Sequence, residues 1–101
     1  MKPGKYDRKI NIIITGLKLD ELQRYVWMMA ESFGLDRRIE NYQGKRPIGL
    51  YRWDIECLLD VMNPTLEDPK YYPSKTKKEY LALAELRDRL KQIYKENFDN
   101  S

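Results

Sequence analysis

The sequence predicts an α+β fold: a single small domain of β-α-β-β-α order, in which a three-stranded sheet has two helices packed against it. Three observations indicate this class. The chain has 101 residues, 42% of them hydrophobic and 35% charged, which suits one domain with a core inside a solvated shell. Apolar residues alternate along some segments and recur at helical spacing along others. Residues 1–8 are interpreted as a loose basic lead-in, and residues 9–98 as the globular domain.

The first strand and the first helix are predicted in the amino-terminal third of the chain. Lys9–Thr15 predicts a strand because alternate isoleucines share one of its faces. Leu19–Phe33 predicts an amphipathic helix, and Gly34 is the residue type expected just after a helix ends. Trp27 and Met28 fall outside the apolar stripe of this helix. The pair therefore predicts either contact with a second layer of the domain or an exposed anchor for a partner.

Two further strands are predicted in the middle of the chain. Arg37–Tyr42 shows weak alternation and predicts a short strand. Leu50–Met62 is ambiguous, because its apolar residues occupy every second position and also make a helical face. We favour a strand up to about Cys57 that turns helical afterwards, because aromatic and β-branched residues fill the first half of the segment.

The last third of the chain is predicted to contain a proline-rich loop and a long helix. Asn63–Pro73 carries three prolines and predicts a loop, since proline does not continue a regular element. Thr76 and Glu79 match a capping box, from which a helix is predicted to run to about Asn97. The residues predicted to bury one face of this helix are Tyr80, Leu83, Leu86, Leu90, Ile93 and Tyr94.

The composition excludes several kinds of catalysis. The chain has no histidine and Cys57 is its single cysteine, so neither a Ser-His or Cys-His arrangement nor a usual zinc site can form. It contains no glycine-rich phosphate loop and no regularly spaced calcium loop. We therefore predict that the protein is not an enzyme and has no catalytic residues, no cofactor and no metal. The lone cysteine and the lack of a long apolar run predict a cytoplasmic protein without a membrane partner.

One short motif has a catalytic counterpart. The residues Trp53–Cys57, WDIEC, resemble the first carboxylate motif of the proofreading exonucleases of family B DNA polymerases. The resemblance implies two strand carboxylates, Asp54 and Glu56, that hold metal ions for phosphodiester cleavage. That chemistry also needs a Tyr-x-x-x-Asp motif, whereas Tyr94 and Asp99 are five residues apart. We therefore interpret Asp54 and Glu56 as the solvated face of a half-buried strand.

The segment 41–53, NYQGKRPIGLYRW, has the composition of a binding surface. It combines cations and aromatic residues without one acid, and Pro47 and two glycines shape its middle as a turn or loop. Aromatic faces beside cations suit stacking and charge recognition. The residues predicted to bind a partner are Trp27 and Met28 on the first helix and, on this segment, Tyr42, Lys45, Arg46, Tyr51, Arg52 and Trp53.

Two hypotheses of function follow from these residues. The first is a small non-enzymatic binding module, of the accessory regulator or inhibitor type, that contacts another protein or a second copy of itself in a homodimer. Its anchors would be Trp27, Met28 and the aromatic and basic residues of segment 41–53. The alternative is a nucleic-acid-binding domain, in which aromatic residues of this segment stack on bases while its cations, with Arg37 and Arg38, meet phosphates. The net charge of +3 permits both kinds of partner.

Overall fold

The computed structural model describes residues 9–28 and 34–98, apart from the side chain of Trp27. These ranges form a small compact α+β arrangement of four α-helices and one antiparallel pair of strands. The predicted β-α-β-β-α order, with a three-stranded sheet and two helices, is therefore wrong. Along the chain the elements are β1 (Ile10–Ile12), α1 (Gly16–Tyr25), a 3₁₀ turn (Val26–Met28), α2 (Leu35–Glu40), β2 (Ile48–Leu50), α3 (Arg52–Glu67) and α4 (Lys78–Asn97).

The first predicted strand is confirmed over β1. This strand pairs antiparallel with β2, so that Ile12 lies opposite Ile48. Both side chains are buried, and Ile14 just beyond β1 continues the buried face. The neighbouring Ile13 points the other way and is exposed, as the alternation along a strand requires. The isoleucine pattern therefore predicted the buried face of β1 correctly.

Helix α1 carries the first part of the predicted apolar stripe. Leu19 and Leu22 are buried on it, and the chain then tightens into the 3₁₀ turn. The later part of the predicted helix, residues 29–33, lies outside the described residues. Gly34 has a φ of +90° and directly precedes α2 as its N-cap residue.

The predicted strand Arg37–Tyr42 is wrong, because most of it belongs to α2. Leu35 and Ile39 are four residues apart and both are buried, which places them on one face of a helix. Gln23 of α1 fixes the end of α2, since its Nε2 donates to the carbonyl oxygens of Ile39 at 3.0 Å and of Tyr42 at 2.9 Å. The packing of one helical turn thus outweighs the weak alternation in this segment.

The predicted strand within Leu50–Met62 is wrong beyond Leu50, because α3 begins at Arg52. Asp54 caps the N-terminus of the helix, because its Oδ2 accepts a hydrogen bond from the Tyr51 N–H at 2.9 Å. The period-two signal arises because half-buried apolar residues flank the buried stripe of α3. The buried apolar residues of this stripe recur at helical spacing and are Ile55, Leu58, Val61, Met62 and Leu66.

The predicted loop Asn63–Pro73 is wrong in its first part, since α3 continues past Pro64. Proline lacks the N–H group that would bond to the carbonyl oxygen of Asp60, but Asp60 is exposed. In the next position Thr65 adds a hydrogen bond from its hydroxyl to the Val61 carbonyl oxygen at 2.7 Å. Asp60 and Pro64 are both exposed, so the interruption lies on the side of α3 that faces solvent.

The predicted last helix is confirmed as α4. The three central leucines of its predicted face are buried, and the helix packs against both α1 and α3. Its predicted capping box is not formed. The N-cap residue is Lys77, which makes no side-chain cap hydrogen bond, while the Thr76 hydroxyl lies 2.8 Å from the Ser74 hydroxyl.

Candidate binding site

The residues between α2 and β2 form an exposed and positively charged turn, called here the basic turn (residues 41–46). An open cavity of about 300 Å³ lies on it. The described residues that line the cavity supply two cations and two amides and no acid; they are Asn41, Tyr42, Gln43, Lys45 and Arg46. Lys45 and Arg46 are both exposed. The cavity is therefore polar, open and positively charged.

Tyr42 fixes the shape of the basic turn. Its hydroxyl donates to the carbonyl oxygen of Arg46 and accepts a hydrogen bond from the Ile14 N–H at 3.4 Å. Its own carbonyl oxygen accepts from the Gln23 side chain of α1 at 2.9 Å. Hydrogen bonds of this kind contribute about 1 kcal/mol each. They connect the turn to the end of β1 and to α1, so its backbone is held by the rest of the fold.

Gly44 allows the basic turn to lie directly against the neighbouring elements. Its φ is +76°, in the left-handed region that residues with a side chain rarely adopt. A Cβ atom at this position would lie 3.0 Å from the Ile14 carbonyl oxygen and 3.3 Å from Cδ2 of Leu19. Glycine therefore satisfies both the backbone conformation and the close approach to α1 and to the residues between β1 and α1.

The segment that contains the basic turn has more cations than acids, although Arg38 and Arg52 pair with Asp54 and Glu56 just beyond it. Residues 34–53 contain five cations and two acids, a formal charge of +3. The remaining 14 of 19 cations and 14 of 16 acids cancel. The side chains of Lys45 and Arg46 make no ion pair or hydrogen bond with any residue that the structure describes. Their charges are thus available to a ligand.

Of the other cations beside the turn, Arg38 already has partners within the fold. Nη1 of Arg38 lies 3.3 Å from Oδ2 of Asp54, and the same guanidinium donates to the Gly49 carbonyl oxygen. The side chain of Lys9 lies across the same glycine. Arg37 of α2 is exposed but does not line the cavity. The structure therefore brings Lys45 and Arg46, but not every neighbouring cation, to one cavity.

The predicted binding residues at the start of α3 lie outside this cavity. Arg52 contacts α4, where its Nε donates to the Tyr94 hydroxyl at 3.1 Å and its guanidinium carbon lies 5.7 Å from the ring centre. The Tyr94 hydroxyl in turn donates to Glu56 at 2.7 Å, and this hydrogen bond raises the pKa of Tyr94. Tyr51 and Trp53 are half-buried. The aromatic and basic residues of segment 41–53 are therefore divided between two places.

The two predicted anchor residues on the first helix lie in the 3₁₀ turn. Met28 is half-buried against the core, and its Sδ lies 3.9 Å from the Thr65 hydroxyl of α3. It thus contacts a second layer of the fold, which was one of the two interpretations of this pair. The side chain of Trp27 lies outside the described part of the chain, so an exposed anchor there stays a prediction.

The acids of the exonuclease-like motif do not form the solvated face of a strand. Asp54 is buried at the start of α3, and Glu56 is half-buried, accepting the hydrogen bond from Tyr94. Burial, aided by the nearby Asp54, raises the pKa of the Cys57 thiol. Within the described ranges, no three or more carboxylates and thiols lie close enough together to hold a metal ion.

A second cavity, of about 240 Å³, lies between α1 and the start of α4. Two of its lining residues, Arg24 and Tyr72, bind the buried Glu21 carboxylate. The Tyr72 hydroxyl donates to Glu21 at 2.6 Å, and Nη1 of Arg24 lies 3.2 Å from it. Burial, together with this hydrogen bond, raises the pKa of Tyr72 above its usual range. Lys77 and Glu79 also line the cavity, so its charges of opposite sign compensate one another.

Asn41 and Gln43 are cavity residues that the sequence reasoning missed. They flank Tyr42 just before Gly44, in the polar run NYQGKR. The signal that could have found them is a pair of amide side chains beside a glycine and two cations, since amides in turns can donate to an anion as well as to the backbone. Of the residues that line the cavity, the sequence predicted only Tyr42, Lys45 and Arg46 as binding residues.

The chain was compared with known protein families, curated proteins and solved structures. No family model, no curated protein and no solved structure matches this chain. Among the helices of the described residues, none is long and apolar enough to cross a bilayer. The function therefore has to be inferred from the residues themselves.

Proposed function

We propose that this protein is a non-enzymatic binding module that recognises an acidic segment of another protein through the basic turn. Lys45 and Arg46 support this function, because they are exposed, have no partner among the described residues and share one cavity. Such cations can pair with carboxylates of a partner without first breaking a contact of their own. Tyr42 and Gly44 fix the backbone of the turn, which lowers the conformational entropy that binding would cost.

An acidic polypeptide suits this surface better than a nucleic acid does. Recognition of single strands relies on aromatic rings that stack on successive bases. Tyr42, Tyr51 and Trp53 are all half-buried, and the Tyr42 hydroxyl is bonded within the turn. Two exposed cations on one turn match a short run of carboxylates, whereas a nucleic-acid backbone is held by a longer track of positive charge. These features favour a protein partner.

Fluorescence anisotropy with two labelled probes tests this function. One probe is a short glutamate-rich peptide and the other is a single-stranded oligonucleotide of equal charge, each titrated at about 50 and about 200 mM salt. We expect the peptide to bind. The double variant Lys45→Ala/Arg46→Ala should weaken that binding up to about thirtyfold, because two ion pairs of at most about 1 kcal/mol each are lost.

The matched control is Lys91→Ala/Lys95→Ala, which removes two exposed cations from α4 and changes the net charge equally. Equal losses in the two double variants would show that binding follows the net charge and not the basic turn. No binding of the peptide at about 50 mM salt would contradict the proposed function. Tighter and salt-sensitive binding of the oligonucleotide, lost in the turn variant, would establish the nucleic-acid alternative instead.

A further inference from the structure

We infer that the cavity of the basic turn accepts a phosphate monoester group, so that the module binds a phosphorylated side chain of its partner. This inference rests on the proposed function and specifies the ligand of the same site. It is carried by two cations, Lys45 and Arg46, that line one cavity with no acid among its described lining residues. Neither side chain is engaged by another described residue.

The charge of the cavity matches a phosphate group better than a carboxylate. A phosphorylated side chain carries a charge of about −1.5 to −2 at neutral pH, whereas an aspartate or glutamate side chain carries a single negative charge. Lys45 and Arg46 together supply two positive charges. Glu40, the acid closest to them in the sequence, belongs to α2 and does not line the cavity. One carboxylate would therefore leave a cation uncompensated, and one phosphate would not.

The lining side chains also offer the donors that three phosphate oxygens require. Arg46 presents a planar guanidinium, which can donate to two oxygens of one phosphate, and Lys45 presents three rotatable N–H groups. Asn41 and Gln43 also line the cavity and carry amide N–H donors. A volume of about 300 Å³ leaves room for a tetrahedral group. A carboxylate has only two oxygens and would use fewer of these donors.

The second cavity does not offer the same chemistry. There Arg24 is already paired with the buried Glu21 at 3.2 Å, and Glu79 adds a carboxylate to a wall that Lys77 also lines. The charges of that cavity are thus compensated before any ligand binds. In the basic turn the positive charge is uncompensated and the backbone is fixed, which is the combination that an anion site requires.

Chemical-shift titration of the isotope-labelled chain tests the inference. The probes are three acidic peptides that differ only in one central residue, which is serine, glutamate or phosphoserine. We expect the phosphoserine peptide to bind about tenfold more tightly than the glutamate peptide, because additional charge-assisted hydrogen bonds form. The largest shift changes should fall on residues 41–46, and inorganic phosphate should compete for the same resonances.

A conservative variant separates phosphate recognition from general attraction. Arg46→Lys keeps the charge but removes the planar guanidinium, so it should weaken the binding of both peptides and reduce the preference for phosphoserine over glutamate several-fold. The matched control is Arg37→Lys, the same change at an exposed arginine outside the cavity. This control should retain the full preference. An equal preference in all three proteins would show that Arg46 does not hold the phosphate.

The outcomes distinguish the phosphate site from the proposed function. If the glutamate and phosphoserine peptides bind equally at residues 41–46, the phosphate site is wrong and the proposed function stands. If phosphoserine is preferred but the shift changes lie elsewhere on the chain, the site is also wrong. If none of the three acidic peptides binds, both proposals are wrong.

Discussion

Gly44→Ala places a side chain at the position where the basic turn meets β1 and α1. The left-handed backbone conformation, with φ at +76°, costs a residue with a Cβ about 1–2 kcal/mol. The added Cβ would also lie 3.0 Å from the backbone oxygen of Ile14 and 3.3 Å from a methyl group of Leu19. Because a backbone oxygen cannot swing aside as a side chain can, the turn itself has to move.

The expected decrease in the free energy of unfolding is about 1–2 kcal/mol. The close contact adds to the conformational cost, whereas the smaller freedom of an unfolded alanine chain offsets about 0.4–1 kcal/mol. For a chain of this size, each kcal/mol lowers the melting temperature by about 4–8 °C. Movement of the turn would also separate the Tyr42 hydroxyl from the Ile14 N–H, so the affinity for the acidic peptide should fall as well.

Urea unfolding and peptide anisotropy of Gly44→Ala and Gly16→Ala measure these effects. Gly16 has a φ of +62°, but a Cβ there meets nothing within 4 Å, so this control carries the conformational cost alone. We expect Gly44→Ala to lose more stability than Gly16→Ala, and only Gly44→Ala to weaken peptide binding. Equal losses of stability with peptide binding intact would refute the fixed position of the turn.

Two further predictions concern the buried Tyr72 and the half-buried Cys57. Tyr72→Phe removes a donor from the buried Glu21 carboxylate, so stability measured in urea should fall by about 1.5–3 kcal/mol, and unchanged stability would contradict a role for this hydrogen bond. The pKa of Tyr72 is raised in the folded state, so its contribution to the free energy of unfolding is complete below about pH 10. This contribution is lost as the pH rises through the pKa of the folded state, and Tyr72→Phe should not show this loss. Burial raises the pKa of Cys57, so iodoacetamide should alkylate the folded protein more slowly than free cysteine at neutral pH, and equal rates would count against this burial.

The sequence alone determined the elements whose apolar pattern has a single interpretation. The buried leucines of α4, Leu83, Leu86 and Leu90, recur at helical spacing, and the buried isoleucines Ile12 and Ile14 alternate along the first strand segment. Both patterns predicted the type of element and its buried face, because side-chain direction follows directly from backbone period. The exact caps were not predicted, since Lys77 and not Thr76 precedes α4.

The tertiary structure decided the middle of the chain, where the local pattern allowed two answers. Leu50–Met62 fits both a strand and a helix, and its packing against α4 selects the helix. Leu35 and Ile39 similarly become one helical face only because the core covers both of them. The aromatic and β-branched content of these segments is a weak preference, and the burial of a whole apolar stripe outweighs it.

The candidate site shows the same division between local and distant causes. Composition alone located the cations of segment 41–53. It could not show that Arg52 pairs with Tyr94, 42 residues further along, while Lys45 and Arg46 keep no partner among the described residues. Period and composition are properties of neighbouring residues, and a sequence displays them directly. Which charges are compensated, and which side chains share a cavity, depends on contacts between distant residues, which only the folded chain defines.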